Sequence, residues 1–169
     1  MDIIQTDRLV LRRQTTKDAE FILNLMNDPE WIRYIGDRGV QTHEEACDYI
    51  QTGAIAMYHE HGFGLYLTEL KEDRIPIGIC GLVKRDSLDD VDLGFAIARE
   101  FRGKGYAQEA AATTVEYSRD VVGLDRIVAI VSPENTKSVR VLEKIGFLFE
   151  QVIDDPNGDN VHLFALALE

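Results

Sequence analysis

The sequence predicts an α/β (α+β) domain of about seven mostly antiparallel strands and about four helices, in the order β-α-α-β-β-β-α-β-α-β-β. Three observations carry this. The chain has 169 residues, 45% of them hydrophobic, which suits a single core and is too short for two ordinary domains in tandem. Its apolar spacing switches several times between the strand period and the helix period. In mid-chain, three strand-like runs are separated only by short polar turns, so they form an antiparallel meander.

Arg8 to Gln14 alternates, with Leu9 and Leu11 on one side against Arg8, Val10 and Arg12, as in a half-buried strand. Thr15 or Thr16 then caps a helix with Phe21, Ile22, Leu25 and Met26 on one face, stopped by Asp28-Pro29. The next helix opens at Thr42 with a T-x-x-E capping box to Glu45, is weakened by Gly53 and ends near Gly62. The meander strands are Phe63 to Leu70, Ile77 to Val83 and Val91 to Ala98. From Gly105 to Gly123 the period is helical, with a small-residue face of Ala107, Ala110, Ala111 and Thr114 that permits close approach to a sheet. Arg126 to Val131 is a short strand, and Asn135 caps a helix with Val139, Leu142 and Ile145 inward, closed by Gly146-Phe147. Leu148 to Ile153 and Val161 to Leu168 form a hairpin around the turn Asp155-Pro156-Asn157-Gly158.

Charge narrows the function. With 18 basic against 30 acidic residues the net charge is -12, which disfavours nucleic acid and anionic membranes as partners and suits a cationic one. The first 13 residues alternate instead of forming the apolar run of a signal peptide, so a cytoplasmic location is expected. Cys47 and Cys80 form no C-x-x-C pair and read as reduced, partly buried small hydrophobes. His59-Glu60-His61 has no evident third ligand, and His43-Glu44-Glu45-Ala46-Cys47 lacks the second histidine of H-E-x-x-H, so no metal is expected.

The sharpest local signal is Arg102-Gly103-Lys104-Gly105-Tyr106-Ala107, a glycine turn between a strand and a long helix. Backbone N–H groups point outward unpaired at such a junction, glycine lets a ligand approach the main chain, and the helix N-terminus favours phosphate. Arg99, Arg102 and Lys104 add basic charge in an acidic chain. A tight turn with solvated basic residues would give the same local sequence. Two phosphate motifs are excluded: Tyr106 and Ala107 stand where a Walker A loop needs Lys and Ser or Thr, and Gln108 where a dinucleotide fingerprint needs its third glycine.

Four segments together resemble the GNAT superfamily of N-acetyltransferases, and within it the RimJ/RimL-type, ribosomal-protein alanine N-acetyltransferase-like branch. They are Thr6-Asp7-Arg8-Leu9-Val10-Leu11-Arg12, Val91-Asp92-Leu93-Gly94-Phe95, Arg102 to Ala107 with Glu109-Ala110, and Asn135-Thr136-Lys137-Ser138 continuing to Glu143-Lys144-Ile145-Gly146-Phe147. The resemblance spans almost the whole chain and implies one such domain over residues 1–169 with a mixed sheet. It also implies acetyl-coenzyme A as cosubstrate. Arg102, Gly103, Gly105 and Ala107 fall on the family's R/Q-x-x-G-x-G/A loop, so the amides of Gly103, Lys104, Gly105, Tyr106 and Ala107 would hold the pyrophosphate, with Lys104 adding charge. The strand around Phe95, Ala96 and Ile97 would pair its free edge with the pantetheine arm, Gly94 would mark the bulge that frees this edge, and Asn135 would line the cleft. The strand before the glycine turn and Arg126 to Val131 would run parallel and splay apart.

Amine acetylation needs a neutral nucleophile. At pH 7.5 an α-amine is roughly a quarter neutral and a lysine ε-amine only about 0.1%. Asp92 stands where many relatives carry a glutamate and is the candidate general base; a polar role on a wet strand face, or pairing with a nearby arginine, stays open. Many relatives place a tyrosine before E-K-x-G-F to protonate the leaving thiolate, and here that position is Leu142. Ser138, one turn earlier, would donate a hydrogen bond to the thiolate instead, or belong to the helix cap beside Asn135. The expected acceptor is a protein N-terminus beginning with alanine or serine, or a small cationic amine. The chain is expected as a monomer, or as a homodimer through the C-terminal hairpin. A non-catalytic sensor binding acetyl-coenzyme A through the same loop is the alternative function.

Overall fold

A computed structural model describes residues 1–155 and 158–169, so Pro156 and Asn157, on which the predicted C-terminal turn rests, lie outside the described residues. Eight strands form one sheet in the order β1-β2-β3-β4-β5-β6-β8-β7: β1 (Asp2–Gln5), β2 (Leu9–Arg13), β3 (Leu65–Leu70), β4 (Pro76–Val83), β5 (Asp92–Ile97), β6 (Arg126–Val131), β7 (Leu148–Asp154) and β8 (Asn160–Ala167). Neighbours are antiparallel except β5 and β6, which run parallel. The meander is β3-β4-β5, as the polar turns require.

Strand β1 goes beyond the sequence prediction. Four residues are too few to show alternation, and β1 exists through its antiparallel pairing with β2. That pairing places β2 inside the sheet, and Val10 is as buried as Leu9 and Leu11 and not solvent-facing as alternation suggested.

The α-helices among the described residues are α1 (Ala19–Met26), α2 (Pro29–Tyr34), α3 (His43–Ile50), α4 (Ala56–His61), α5 (Tyr106–Tyr117) and α6 (Thr136–Lys144). Thr15 caps the short 3-10 turn Thr16–Asp18 that leads into α1 through a capping box. Pro29 ends α1 as predicted, yet it also starts α2. Its fixed φ suits the first helical position, and the Asp28 side chain caps the helix by accepting from the Glu30 N–H at 2.9 Å. Gly53 lies in a wide π-type turn, Gln51–Ile55, joining α3 to α4, so the predicted weak point is an irregularity within one long helical segment.

Both sheet faces are covered. On one face, Leu11, Ile77, Leu93 and Ile127 pack with Ala110 and Ala111 of α5, Leu142 of α6 and Phe147. On the other, Leu67 and Ile79 pack with Ile22 and Met26 of α1, Trp31 of α2 and Ile50 of α3. Each fully buried Leu or Ile is worth about 1.5–3 kcal/mol relative to exposure, so these layers hold rigid the strands that carry the site. The predicted bulge at Gly94 is not there: register runs unbroken from Gly78↔Ile97 to Val83↔Asp92. A side chain at Gly94 would begin 3.3 Å from Leu65 Cδ2, a tight contact that the Leu65 side chain would have to yield to.

Candidate active site

The site begins where β5 and β6 part. Their pairing is confined to Asp92↔Val128, with the Val128 N–H donating to the Val91 carbonyl at 3.0 Å. Beyond this rung the edge of β5 is open. The Ala98 N–H donates to the Ile77 carbonyl on β4 at 2.7 Å, and antiparallel pairing alternates, so the backbone groups of Ala96 and Gly94 also face β4. Those of Leu93, Phe95 and Ile97 therefore face the gap. No bulge is needed to free this edge, because β6 diverges from it.

The glycine turn forms the rim of the gap. Gly103 and Gly105 have φ of +78° and +83°, left-handed values that side chains disfavour. Two such residues around Lys104 curl the main chain into a concave turn at the start of α5. None of the N–H groups from Gly103 to Gln108 finds an acceptor among the described residues, whereas the Glu109 N–H already donates to the Gly105 carbonyl. Several outward donors at a helix N-terminus suit an anionic oxygen cluster.

A cleft of about 330 Å³ joins this rim, the Phe95–Ile97 edge and helix α6. Of the residues predicted to bind the cofactor, Phe95, Ala96, Ile97, Arg102, Gly103, Gly105, Tyr106, Ala107 and Asn135 all line it, as does Ser138. Lys104 does not: its ammonium lies 5.8 Å from the Phe101 ring and its carbonyl turns the other way, toward Arg8. The cationic lining comes instead from Lys137, Arg140 and Lys144. Their spacing puts them on one face of α6, a signal already present in the sequence but overshadowed by the apolar face of the same helix.

Arg102 reaches the cleft, but its guanidinium is otherwise engaged. Nε donates to the Ile97 carbonyl at 2.9 Å, Nη2 lies 3.1 Å from Asp28 Oδ1 and Nη1 2.8 Å from Glu30 Oε2. It thus fastens the start of α2, whose Trp31 and Tyr34 wall the cleft, to the end of β5. Arg102→Ala should therefore weaken coenzyme A and a truncated pantetheine thioester to similar degrees. Alanines at Lys137, Arg140 and Lys144 together should weaken coenzyme A by at least about tenfold more than the truncated thioester, with a steep salt dependence. Calorimetric titration with both ligands checks this, and a selective loss in Arg102→Ala would contradict it.

Asn135 caps α6, its Oδ1 accepting from the Ser138 N–H at 3.3 Å, and both residues line the cleft. Leu142 is 1% exposed, part of the core and no donor. Asp92 does not line the cleft. It is 1% exposed, at the last paired rung before the gap, with Oδ2 accepting from Arg85 Nε at 2.7 Å. Oδ1 has no partner within hydrogen-bond geometry among the described residues. Burial pushes this carboxyl up to about 6; Arg85 opposes the shift, as does the Ile130 N–H, which is near enough to do so without satisfying Oδ1. A raised carboxyl gives stability below the unfolded value of about 4 that is lost as pH rises through about 6, on the order of 3 kcal/mol in all. The melting temperature of Asp92→Asn minus that of wild type should accordingly rise by several degrees between pH 4 and pH 7.5. A difference independent of pH would show that the carboxyl is not desolvated.

Among the described residues, no group of three or more His, Cys, Asp or Glu side chains could hold a metal ion. Nor is any described helix long and apolar enough to cross a membrane.

Residues 8–148 match the family model for an acetyltransferase (GNAT) domain. An uncharacterized N-acetyltransferase of Bacillus subtilis, YoaA, is 34% identical over 153 residues, covering 89% of this chain and 85% of its own. The [ribosomal protein uS5]-alanine N-acetyltransferase of Escherichia coli is 28% identical over 155 residues, covering 85% of this chain and 77% of its own. In fold, the chain is similar to RimL, a ribosomal L7/L12 alpha-N-protein acetyltransferase solved with coenzyme A. The TM-score is 0.83 with 18% identity, over 99% of this chain and 98% of that one.

Proposed function

The chain belongs to the GNAT acetyltransferase family and is an N-acetyltransferase, and on that premise we propose that it moves the acetyl group of acetyl-coenzyme A directly onto the α-amine of a protein N-terminus. One observation carries the cosubstrate: the run of unpaired N–H groups from Gly103 to Gln108 shares a cleft with the open Phe95 edge and three cations of α6. The amides would hold the pyrophosphate, the α6 cations the phosphate charge, and Phe95 the amides of the pantetheine arm. Bound acetyl-coenzyme A supplies an activated acyl group.

The amine nitrogen bonds to the acyl carbon, the carbon–sulfur bond breaks and the thiolate leaves. The proton lost by nitrogen leaves through water, and Asp92, buried outside the cleft lining at the point where β5 and β6 part, takes it by a water relay and not by contact with the amine. A carboxyl brought to about 6 is ionised at neutral pH yet far more basic than an exposed aspartate. Ser138 donates to the departing sulfur. The free cysteines Cys47 and Cys80 suit a reducing compartment, the cytoplasm.

The names of two similar proteins, a ribosomal-protein alanine N-acetyltransferase and an alpha-N-protein acetyltransferase, support a peptidyl α-amine as acceptor. The net charge of -12 favours a cationic small amine as the second choice. A panel of peptides beginning with alanine or serine, set beside polyamines and aminoglycosides, separates the two by product mass. Leu142, at the position where the family resemblance implies an acid tyrosine in many members, is a buried core residue and favours one other reading, a non-catalytic coenzyme sensor. Tight coenzyme binding with no acetylated product from any amine would establish that reading instead.

A further inference from the structure

Thr6, Arg8 and Glu109 lie outside the cleft-lining set, yet they converge behind its glycine turn. Arg8, just before β2, donates from Nε to Glu109 Oε1 at 2.7 Å and from Nη1 to the Lys104 carbonyl at 3.0 Å. Its guanidinium also lies 4.4 Å from the centre of the Tyr106 ring. Glu109, in the first turn of α5, accepts at Oε2 from the Thr6 hydroxyl at 2.5 Å and from the Arg8 N–H at 3.3 Å. Burial alone would raise the Glu109 carboxyl; the hydrogen bonds from Thr6 and Arg8 overcome this and hold it below the usual carboxylate range.

As a source of stability this pair is minor. The Arg8 and Glu109 side chains are 45% and 23% exposed, and surface ion pairs contribute about 0–1 kcal/mol. The geometric consequence is larger. Across a trans peptide the carbonyl and the N–H point in opposite directions, and this chain has no cis bond among the described residues. Holding the Lys104 carbonyl toward Arg8 therefore directs the Gly105 N–H to the opposite side. Glycines on either side of Lys104 leave these peptide planes free to rotate, so something outside the loop must fix them if the donors are to meet an anion ready-oriented.

We propose that Thr6, Arg8 and Glu109 are positioning residues that brace the coenzyme loop from behind, with Arg8 turning the Lys104 carbonyl away so that the Gly105 N–H faces the pyrophosphate. This rests on the reading of Gly103 to Ala107 as the pyrophosphate cradle. Arg8 acts through the loop and not as a phosphate ligand, since Glu109 already neutralises it.

The sign of one substitution separates these roles. In calorimetric titrations of the full chain with coenzyme A and with pantetheine, which lacks the pyrophosphate, Arg8→Met should weaken coenzyme A by about tenfold or more. Pantetheine binding should be unchanged. Glu109→Gln should also weaken coenzyme A, by about threefold to tenfold, because it loosens Arg8. Tighter coenzyme A binding in Glu109→Gln would overturn the proposal, for it would mean that the freed Arg8 contacts phosphate directly. Unchanged coenzyme A binding in both variants, or equal losses for the two ligands, would overturn it as well. Should Arg8→Met fail to fold, Arg8→Lys replaces it, since an ammonium lacks the planar fork whose separate Nε and Nη1 donors reach Glu109 and the Lys104 carbonyl; it should show the same selective loss. Wild-type coenzyme affinity in Gly105→Val marks the separate failure of the cradle reading.

Discussion

Replacing Gly105 with valine is expected to abolish the rise in melting temperature that coenzyme A gives the wild-type protein. At a ligand concentration a hundred times Kd, binding stabilises the folded state by about 2.7 kcal/mol, roughly 5–11 °C for a chain of this size. Gly105 has a φ of +83°, and a β-branched residue held there carries strain of about 1–3 kcal/mol. The apo variant should therefore melt a few degrees lower but still cooperatively, because the position belongs to neither core layer. Relief of the strain would shift φ and turn the neighbouring amides out of line with the pyrophosphate. Differential scanning fluorimetry with and without coenzyme A reads both effects, and an undiminished ligand-induced rise in the variant would remove the loop from the mechanism.

The second large effect is on turnover. Asp92→Asn keeps the size of the side chain and its place beside Arg85 but removes the proposed proton acceptor. General-base catalysis is worth roughly 100- to 10,000-fold, so the variant should lose that factor at neutral pH while binding acetyl-coenzyme A normally. The sign with pH follows from the carboxyl pushed up to about 6. A base works when deprotonated, so the wild-type rate should rise with pH through about 6, and this limb should vanish in the variant. As pH approaches the α-amine pKa of about 8, solution supplies neutral amine and activity should return in part. Ser138→Ala, by contrast, should lower the rate without such recovery. Wild-type turnover in Asp92→Asn across neutral pH would falsify the base assignment and leave solvent as the proton's route.

Local signals were legible where chemistry and conformation are set by neighbours in sequence. Thr42 caps α3 by accepting from the Glu45 N–H, and Gly62 and Gly123 end their helical segments in the left-handed conformation. Strand β6 spans the predicted Arg126–Val131, and the turn Gly103–Ala107 carries outward amides as its glycines require. Side-chain destinations were not legible, because they depend on residues distant in the chain. Arg102 reads as a phosphate ligand until Asp28, 74 positions earlier, is seen beside it. Arg8 reads as a strand residue until the Lys104 carbonyl, 96 positions later, meets its guanidinium. Asp92 illustrates the limit of periodicity: alternation cannot tell a wet strand face from one where the carboxylate is buried against Arg85. Helix α2 was hidden for a different reason, since Asp-Pro stops one helix and starts another with the same two residues.

The most direct test is a paired measurement on wild-type protein at neutral pH with acetyl-coenzyme A and a peptide bearing a free α-amine, following free thiol and peptide mass in the same reaction. The geometry of the cleft predicts acetylated peptide and free thiol in equal amounts, with neither formed when the α-amine is blocked. Coenzyme binding with no acetylated product from this peptide or any other amine would contradict catalysis by this site.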